Sequence, residues 1–223
     1  MARHRSQPDH FARRAKAQGH AARSVFKLEE IDRRWRLLRP GARVLDLGCA
    51  PGSWMQYAAG VVGQRGQVIG YDLKAVTVSL PAHAEARVGD IYQLDPAALG
   101  GAFDVVLSDM APSTMGDHTT DALRSAALVE SALALAESHL KRGGAVVVKI
   151  LEGGELPKIV ATMRRDYGKV ERLRPQATRR ESSEIFLVGL DKRSAASAAS
   201  PSDIGPSPQG ARDPHPPEEP RGA

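Results

Sequence analysis

The chain has 223 residues, with 31 Lys/Arg against 26 Asp/Glu and a formal net charge of +5. That length suits one α/β domain with extensions and a sizeable core, and the single cysteine, Cys49, excludes an intramolecular disulfide and any multi-cysteine metal centre. No uninterrupted apolar run approaches the ~18 residues of a membrane span, and the charged N-terminus lacks the apolar segment of a secretory signal. A cytoplasmic protein without a membrane partner and without a bound metal is expected.

The charge is unevenly spread. Residues 1–43 carry twelve Lys/Arg and four Asp/Glu, residues 44–193 carry 17 against 18, and residues 194–223 carry two against four. A basic N-terminal arm on a near-neutral body points to a polyanionic partner rather than to a uniformly basic protein. Residues 1–42 form this arm. Within it Val25, Leu28, Ile31 and Trp35 recur at helical spacing, which predicts an amphipathic helix with Lys27 on its polar side.

The body, residues 43–193, alternates short apolar runs with helical stretches. Strands are predicted at Arg43–Leu47, ended by the Gly48–Gly52 turn, and at Gln67–Tyr71, ending at Asp72. Further strands follow at Phe103–Ser108, ending at Asp109, at Ala145–Ile150 after a Gly-Gly break, and at Ile185–Leu190. Ala126, Val129, Leu133, Ala136 and Leu140 lie at steps of three and four, giving one apolar helix face. Such alternation predicts a doubly wound, mostly parallel α/β sheet, whose ligands bind beyond the carboxyl ends of the strands. Residues 194–223 hold seven Pro, six Ala, five Ser and three Gly, too little apolar bulk for a core, so a disordered tail is expected.

Two groups of residues gather at that end of the sheet. The first is Asp46-Leu-Gly48-Cys-Ala-Pro-Gly52-Ser-Trp54, where a strand hands over to a helix. Its G-x-x-x-G spacing lacks the third glycine of a dinucleotide fingerprint and favours a nucleoside with an amino-acid moiety over a pyrophosphate. Asp72, about 20 residues on, is placed to hold a ribose diol, and Gly89-Asp90 an adenine amino group. The second group is Lys27, Asp109 in Ser108-Asp-Met-Ala-Pro112, Lys149 inside an apolar strand, and Glu184 at the start of the last one. A lysine flanked by Val148 and Ile150 is costly to bury unpaired, and Asp109 would offset that cost. These four are either a structural ion-pair cluster or a site that positions and deprotonates a hydroxyl for in-line transfer. A cysteine nucleophile for pyrimidine carbon methylation is excluded, since Cys49 sits inside the glycine turn. Asp-Met-Ala-Pro also lacks the aromatic expected for methylation of an exocyclic amine, so a ribose hydroxyl is the better acceptor.

Together these motifs resemble the FtsJ (RrmJ) family of bacterial large-subunit ribosomal RNA 2′-O-ribose methyltransferases. The match runs from His10-Phe11, Ala22-Arg23-Ser24 and Phe26-Lys27-Leu28 through Asp46–Trp54, Asp72-Leu73, Gly89-Asp90, Ser108–Pro112 and Gly143-Gly144 to Lys149 and Ser183-Glu184, roughly residues 8–190. The resemblance implies a class I, Rossmann-like methyltransferase with a seven-stranded sheet and an N-terminal helical extension that holds RNA. It implies a Lys27–Asp109–Lys149–Glu184 catalytic tetrad, with Lys149 as proton acceptor. It assigns S-adenosylmethionine contacts to Gly52, Trp54, Asp72, Asp90 and Asp109, and as substrate a uridine ribose on the assembled large ribosomal subunit; a monomer is expected. The chain departs from the pattern after Asp72, where Pro-Met is absent, and at Ser182-Ser183, where arginines often stand. Arg172, Arg174, Arg179 and Arg180 lie just upstream, and Glu181 competes with Glu184 for the fourth position. The alternatives are a ribose methyltransferase of tRNA or mRNA, a non-catalytic ribosome-assembly module, and a nicotinamide oxidoreductase, which the missing third glycine disfavours.

Overall fold

The computed structural model describes residues 10–113, 115–179 and 181–194. The expected disordered tail beyond Ser194, the first nine residues of the basic arm and Arg180 lie outside the described residues.

Seven strands form one sheet: β1 (Arg43–Leu47), β2 (Gln67–Asp72), β3 (Ala84–Val88), β4 (Phe103–Ser108), β5 (Leu140–Leu151), β6 (Tyr167–Leu173) and β7 (Glu184–Lys192). Their order is β3-β2-β1-β4-β5-β7-β6, all parallel except β7, which runs antiparallel to both neighbours. The central strands are continuous apolar runs because both faces are covered. Helices α2 (Val25–Trp35) and α3 (Ser53–Val62) lie on one face, where Leu28, Ile31, Met55 and Ala58 pack with Val44, Val147 and Val188. Helices α4 (His118–His139) and α5 (Leu156–Asp166) cover the other, with Ala126, Val129 and Ile159 against Leu45, Val146 and Leu187. The short helix α1 (His10–Ala17) adds a satellite cluster of Ala15, Val25, Phe26 and Ala177. Strand order reverses between β1 and β4, which opens a crevice at their carboxyl ends.

The five strands read from patterning are present, and the two that patterning did not reveal are β3 and β6 at the sheet edges. Edge strands carry charges on their open side, so Glu85 and Arg87 in β3 and Lys169 and Glu171 in β6 mask the alternation. The Gly-Gly break is corrected: β5 runs through Gly143 and Gly144, and the register with β4 shifts there, from Phe103↔Leu140 to Val105↔Ala145. A Cβ on Gly144 would lie 2.9 Å from the Asp104 carbonyl oxygen, so the glycine permits that close approach. Leu140, expected on the helix face, is instead the first residue of β5.

Two polar anchors, the buried Asp32 and the half-buried Lys192, fix the ends of helices. Asp32 of α2 accepts the Leu38 N–H at Oδ1 (2.8 Å) and the Tyr57 hydroxyl at Oδ2 (3.0 Å), tying the arm's exit to α3. At the far end of α4, Lys192 Nζ donates to the carbonyls of Ala136 (2.8 Å), Glu137 (2.5 Å) and Leu140 (2.8 Å). A cation at a helix C-terminus satisfies orphan carbonyls and meets the negative end of the macrodipole. Lys192→Met is therefore expected to destabilise the protein by about 2 kcal/mol, lowering Tm by about 4–8 °C. Thermal melts check this; an unchanged Tm would show that water replaces the ammonium at no cost.

Candidate active site

The turn after β1 is shaped by two glycines. Gly48 has φ +80° and a Cβ there would stand 2.9 Å from the Met110 backbone, while Gly52 has φ +112° and its Cβ would strike the methyls of Val76 and Val78 at 2.6–2.7 Å. Side chains rarely adopt such backbone, and these positions have no room for one. The Gly48 and Cys49 N–H groups donate to the Tyr71 carbonyl at 2.8 and 3.2 Å, holding the turn against the end of β2. There Asp72 accepts the Ala50 N–H at Oδ2 (3.0 Å) and the Lys74 N–H at Oδ1 (2.9 Å). Asp90 accepts the Tyr92 N–H (3.0 Å). Between them lies a cavity of about 180 Å³ lined by Gly48, Tyr71, Asp72, Asp90, Tyr92 and Met110. Trp54 sits deeper: it is buried, its indole N–H donates to the Ser24 carbonyl (2.8 Å), and its ring packs on Phe186 with centroids 5.8 Å apart. With the Ser24–Ser53 hydroxyl contact of 2.8 Å, it joins the N-terminal arm to the glycine turn.

The second group assembles beside this turn. In β5, Ala145, Val147 and Lys149 alternate toward the face that α2 and α3 cover, so the strand period delivers Lys149 to that side at the strand's carboxyl end. Its register partner is Phe186, two residues from Glu184 on the same face of β7. Lys149 Nζ donates to the Asp109 carbonyl (2.7 Å) and lies 2.8 Å from Asp109 Oδ1, which is an ion pair out of hydrogen-bond alignment. Lys27, on the polar stripe of α2, forms an ion pair with Glu184 and stands 5.7 Å from the Phe186 ring centroid. The four side chains are only 8–17% exposed. Burial works against ionisation of Glu184, but the hydrogen bond and charge of Lys27, with Lys149 beyond, hold its carboxyl below the usual range. Glu181 lines the neighbouring cavity of about 330 Å³ together with Arg23, Ser24, Lys27, Arg179 and Glu184.

Sequence reasoning missed one member of the site. Asp46, in β1, is fully buried, and neither carboxylate oxygen has a hydrogen-bond partner among the described residues. Burial first, and then the charges of Asp109 and Asp72, push its carboxyl well above the ordinary range. The signal was available: an acid inside the apolar run RVLDL is as anomalous as the lysine inside AVVVKI. Burial, and then the charges of Asp46 and Asp72, also raise the Cys49 thiol, which removes it as a nucleophile.

A doubly wound sheet with β7 inserted antiparallel, a glycine turn at the switch point and paired acids and lysines at the strand ends defines a class I methyltransferase. The FtsJ-like methyltransferase family model matches residues 21–192. The ribosomal RNA large subunit methyltransferase E of Sorangium cellulosum is 50% identical over 190 residues, covering 84% of this chain and 90% of that protein. The protein of the same name from Desulfatibacillum aliphaticivorans is 48% identical over 188 residues, covering 83% and 91%. A crystal structure described as a ribosomal RNA methyltransferase from Plasmodium falciparum superposes with TM-score 0.67 at 25% identity, over 78% of this chain and 98% of that one. The chain belongs to the FtsJ-like methyltransferase family.

Methyltransferases of this fold use S-adenosylmethionine, and the residues here fit such a cofactor. The cavity of about 180 Å³ that reaches the glycine turn at Gly48 presents Asp72 and Asp90, carboxylates that suit the hydroxyl and amino groups of a nucleoside.

Proposed function

We propose that the protein methylates the ribose 2′-hydroxyl of a uridine in large-subunit ribosomal RNA, using S-adenosylmethionine, as a cytoplasmic monomer acting on the assembled large subunit. The observation that carries this reading is the buried pair of ion pairs, Lys149–Asp109 and Lys27–Glu184, beside the glycine turn. The names of the relatives support the ribosomal substrate. The choice of a ribose hydroxyl is supported by a site that offers lysines and carboxylates, with its only thiol held protonated by burial.

In this reading Gly48, Gly52, Asp72, Asp90 and Asp109 hold the cofactor, with Trp54 supporting the turn from beneath. S-adenosylmethionine, when bound, supplies an electrophilic methyl group on a sulfonium. The protein's task is to present one hydroxyl oxygen in line and to take its proton. Lys149 is the group placed to do this: its Nζ donates to the Asp109 carbonyl (2.7 Å) and lies 2.8 Å from Asp109 Oδ1, beside the glycine turn. For the hydroxyl to be methylated its proton must leave, and Lys149, entering the step as the neutral amine, would take that proton on its Nζ lone pair. Lys27, held by Glu184, stands over the same opening and orients the hydroxyl or its adjacent phosphate. Arg23 and Arg179 line the 330 Å³ cavity on the approach side, where a nucleotide's phosphates would lie.

Labelled methyl transfer into purified large subunits, protein-free rRNA and tRNA tests the reading. The expected product carries label on large-subunit rRNA and resists alkaline cleavage at the labelled nucleotide, because methylation removes the attacking hydroxyl. A base-methylated product, or preference for tRNA, would overturn it.

The arm is expected to bind phosphate. Arg13 and Arg14 are exposed on α1, and Arg14 also stacks 4.4 Å from the Phe26 ring centroid, whereas Arg23 donates to the Ala177 carbonyl and is partly structural. Changing Arg13 and Arg14 together to Ala should flatten the slope of log affinity against log salt by about 1–2. Affinity for S-adenosylmethionine should stay the same. Titrations at several salt concentrations check this, and loss of cofactor binding would make the arm a structural element only.

A further inference from the structure

The opposite end of the sheet carries a second basic cleft. It measures about 560 Å³ and lies where β1, β4 and β5 begin and β7 ends, lined by Trp35, Arg36, Arg39, Lys141, Arg142 and the glycines Gly143 and Gly144, among others. Four cations face two carboxylates there, Asp104 and Asp191. Asp104 is engaged, binding Lys141 at 2.7 Å and accepting the Arg43 N–H at 2.8 Å. Arg36, Arg39 and Arg142 are exposed, and no carboxylate pairs with any of them among the described residues.

The backbone fixes where two of these arginines are attached. Arg36 is the left-handed cap of α2 (φ 52°), its N–H bonded to the Asp32 carbonyl at 2.6 Å, so its position does not drift with a flexible loop. Arg142 is carried by the register shift of β5, on the excursion that Gly143 (φ +74°) and Gly144 make possible. Trp35, half-buried between them, carries the Arg34 guanidinium on its ring, 5.0 Å from the centroid, which gives a planar surface beside the cations. Unpaired guanidiniums on rigid backbone next to an aromatic plane suit a phosphodiester chain, whose phosphates take the forks and whose bases stack.

Helix α2 links this cleft to the catalytic end. Lys27 and Trp35 are eight residues apart on it, about 12 Å along the axis. Ala145, which lines the cleft, and Lys149 are four apart on β5, about 13 Å. One folded RNA following α2 reaches both ends.

We propose that this cleft is a second RNA-backbone site, which grips a ribosomal RNA segment remote from the target nucleotide and sets the particle's orientation on the enzyme. The proposal rests on the ribosomal substrate proposed above, and binding measured apart from methylation separates the two. In the full-length protein, Arg36→Glu/Arg39→Glu/Arg142→Glu is compared with wild type for affinity toward purified large subunits and protein-free rRNA, for methylation kinetics, and for S-adenosylmethionine binding. The expected result is at least a ten-fold weaker affinity for both RNAs, a salt slope flatter by about 2, and a raised KM with kcat at saturation and cofactor affinity unchanged. The pair Arg39→Glu/Arg142→Glu, which leaves the α2 cap intact, should move the same way by a smaller factor. Unchanged affinity and salt slope would overturn the proposal. So would a loss confined to intact subunits, which would assign the cleft to an acidic ribosomal protein. If the wild type binds RNA through the cleft but transfers no methyl to ribose, the proposed reaction falls and the second site stands.

Discussion

A Lys149→Ala variant is expected to lose methyl transfer by about 10³-fold in kcat while keeping S-adenosylmethionine affinity within a few-fold, the range that general acid–base groups contribute. The reasoning is geometric. Lys149 is 8% exposed, with its Nζ held by the carbonyl and carboxylate of Asp109. Removing the amine leaves the glycine turn and Asp72 untouched, which is why binding should survive. Lys149→Met is the companion variant, because it keeps the aliphatic stem in the apolar strand and separates loss of the amine from loss of packing. Single-turnover rates and equilibrium binding of the cofactor, measured on the same preparations, make the comparison. Full activity in either variant would remove Lys149 from the chemistry.

The Asp46→Asn variant is expected to change how stability depends on pH. With its carboxyl pushed up by burial and by Asp109 and Asp72, Asp46 is held protonated in the folded, cofactor-free protein above the pH at which it ionises in the unfolded chain, near 3.9. Unfolding in that window releases a proton, so stability falls as pH rises from about 4 toward the raised folded value, by up to about 1.4 kcal/mol per pH unit. Asparagine carries no such linkage. Wild type should therefore lose stability relative to Asp46→Asn as pH rises from 5 to 7.5, read by chemical denaturation without cofactor. Parallel pH slopes in the two proteins would mean that Asp46 is ionised in the fold and partnered in solution.

Much of the site was legible one residue at a time. Lys149 interrupts AVVVKI, Asp109 and Asp72 follow apolar runs, and Gly48 and Gly52 bracket a turn; each is a local anomaly, and anomalies in strongly patterned segments mark sites. Asp46 carried the same signal and was passed over because it sits inside a motif whose glycines explained the turn without it. Locally, Glu184 is favoured over Glu181 only by the strand that starts beside it. The ion pair of Lys27 goes to Glu184 because the β5–β7 register places Leu151 opposite Glu184 and Phe186 opposite Lys149, a pairing between segments over thirty residues apart.

What the sequence determined by itself was the fold class, the central strands and the cast of reactive side chains, because buried parallel strands need continuous apolar runs and their exceptions stand out. Only the tertiary structure decided the partnerships. It inserted β7 antiparallel between β5 and β6, carried β5 across its glycines, and set the arm's Lys27 against the last strand. It also gathered the basic residues of α2 and β5 into a cleft at the opposite end. These are long-range pairings fixed by packing and register, and local pattern holds no record of which distant segment a strand or a charge will meet.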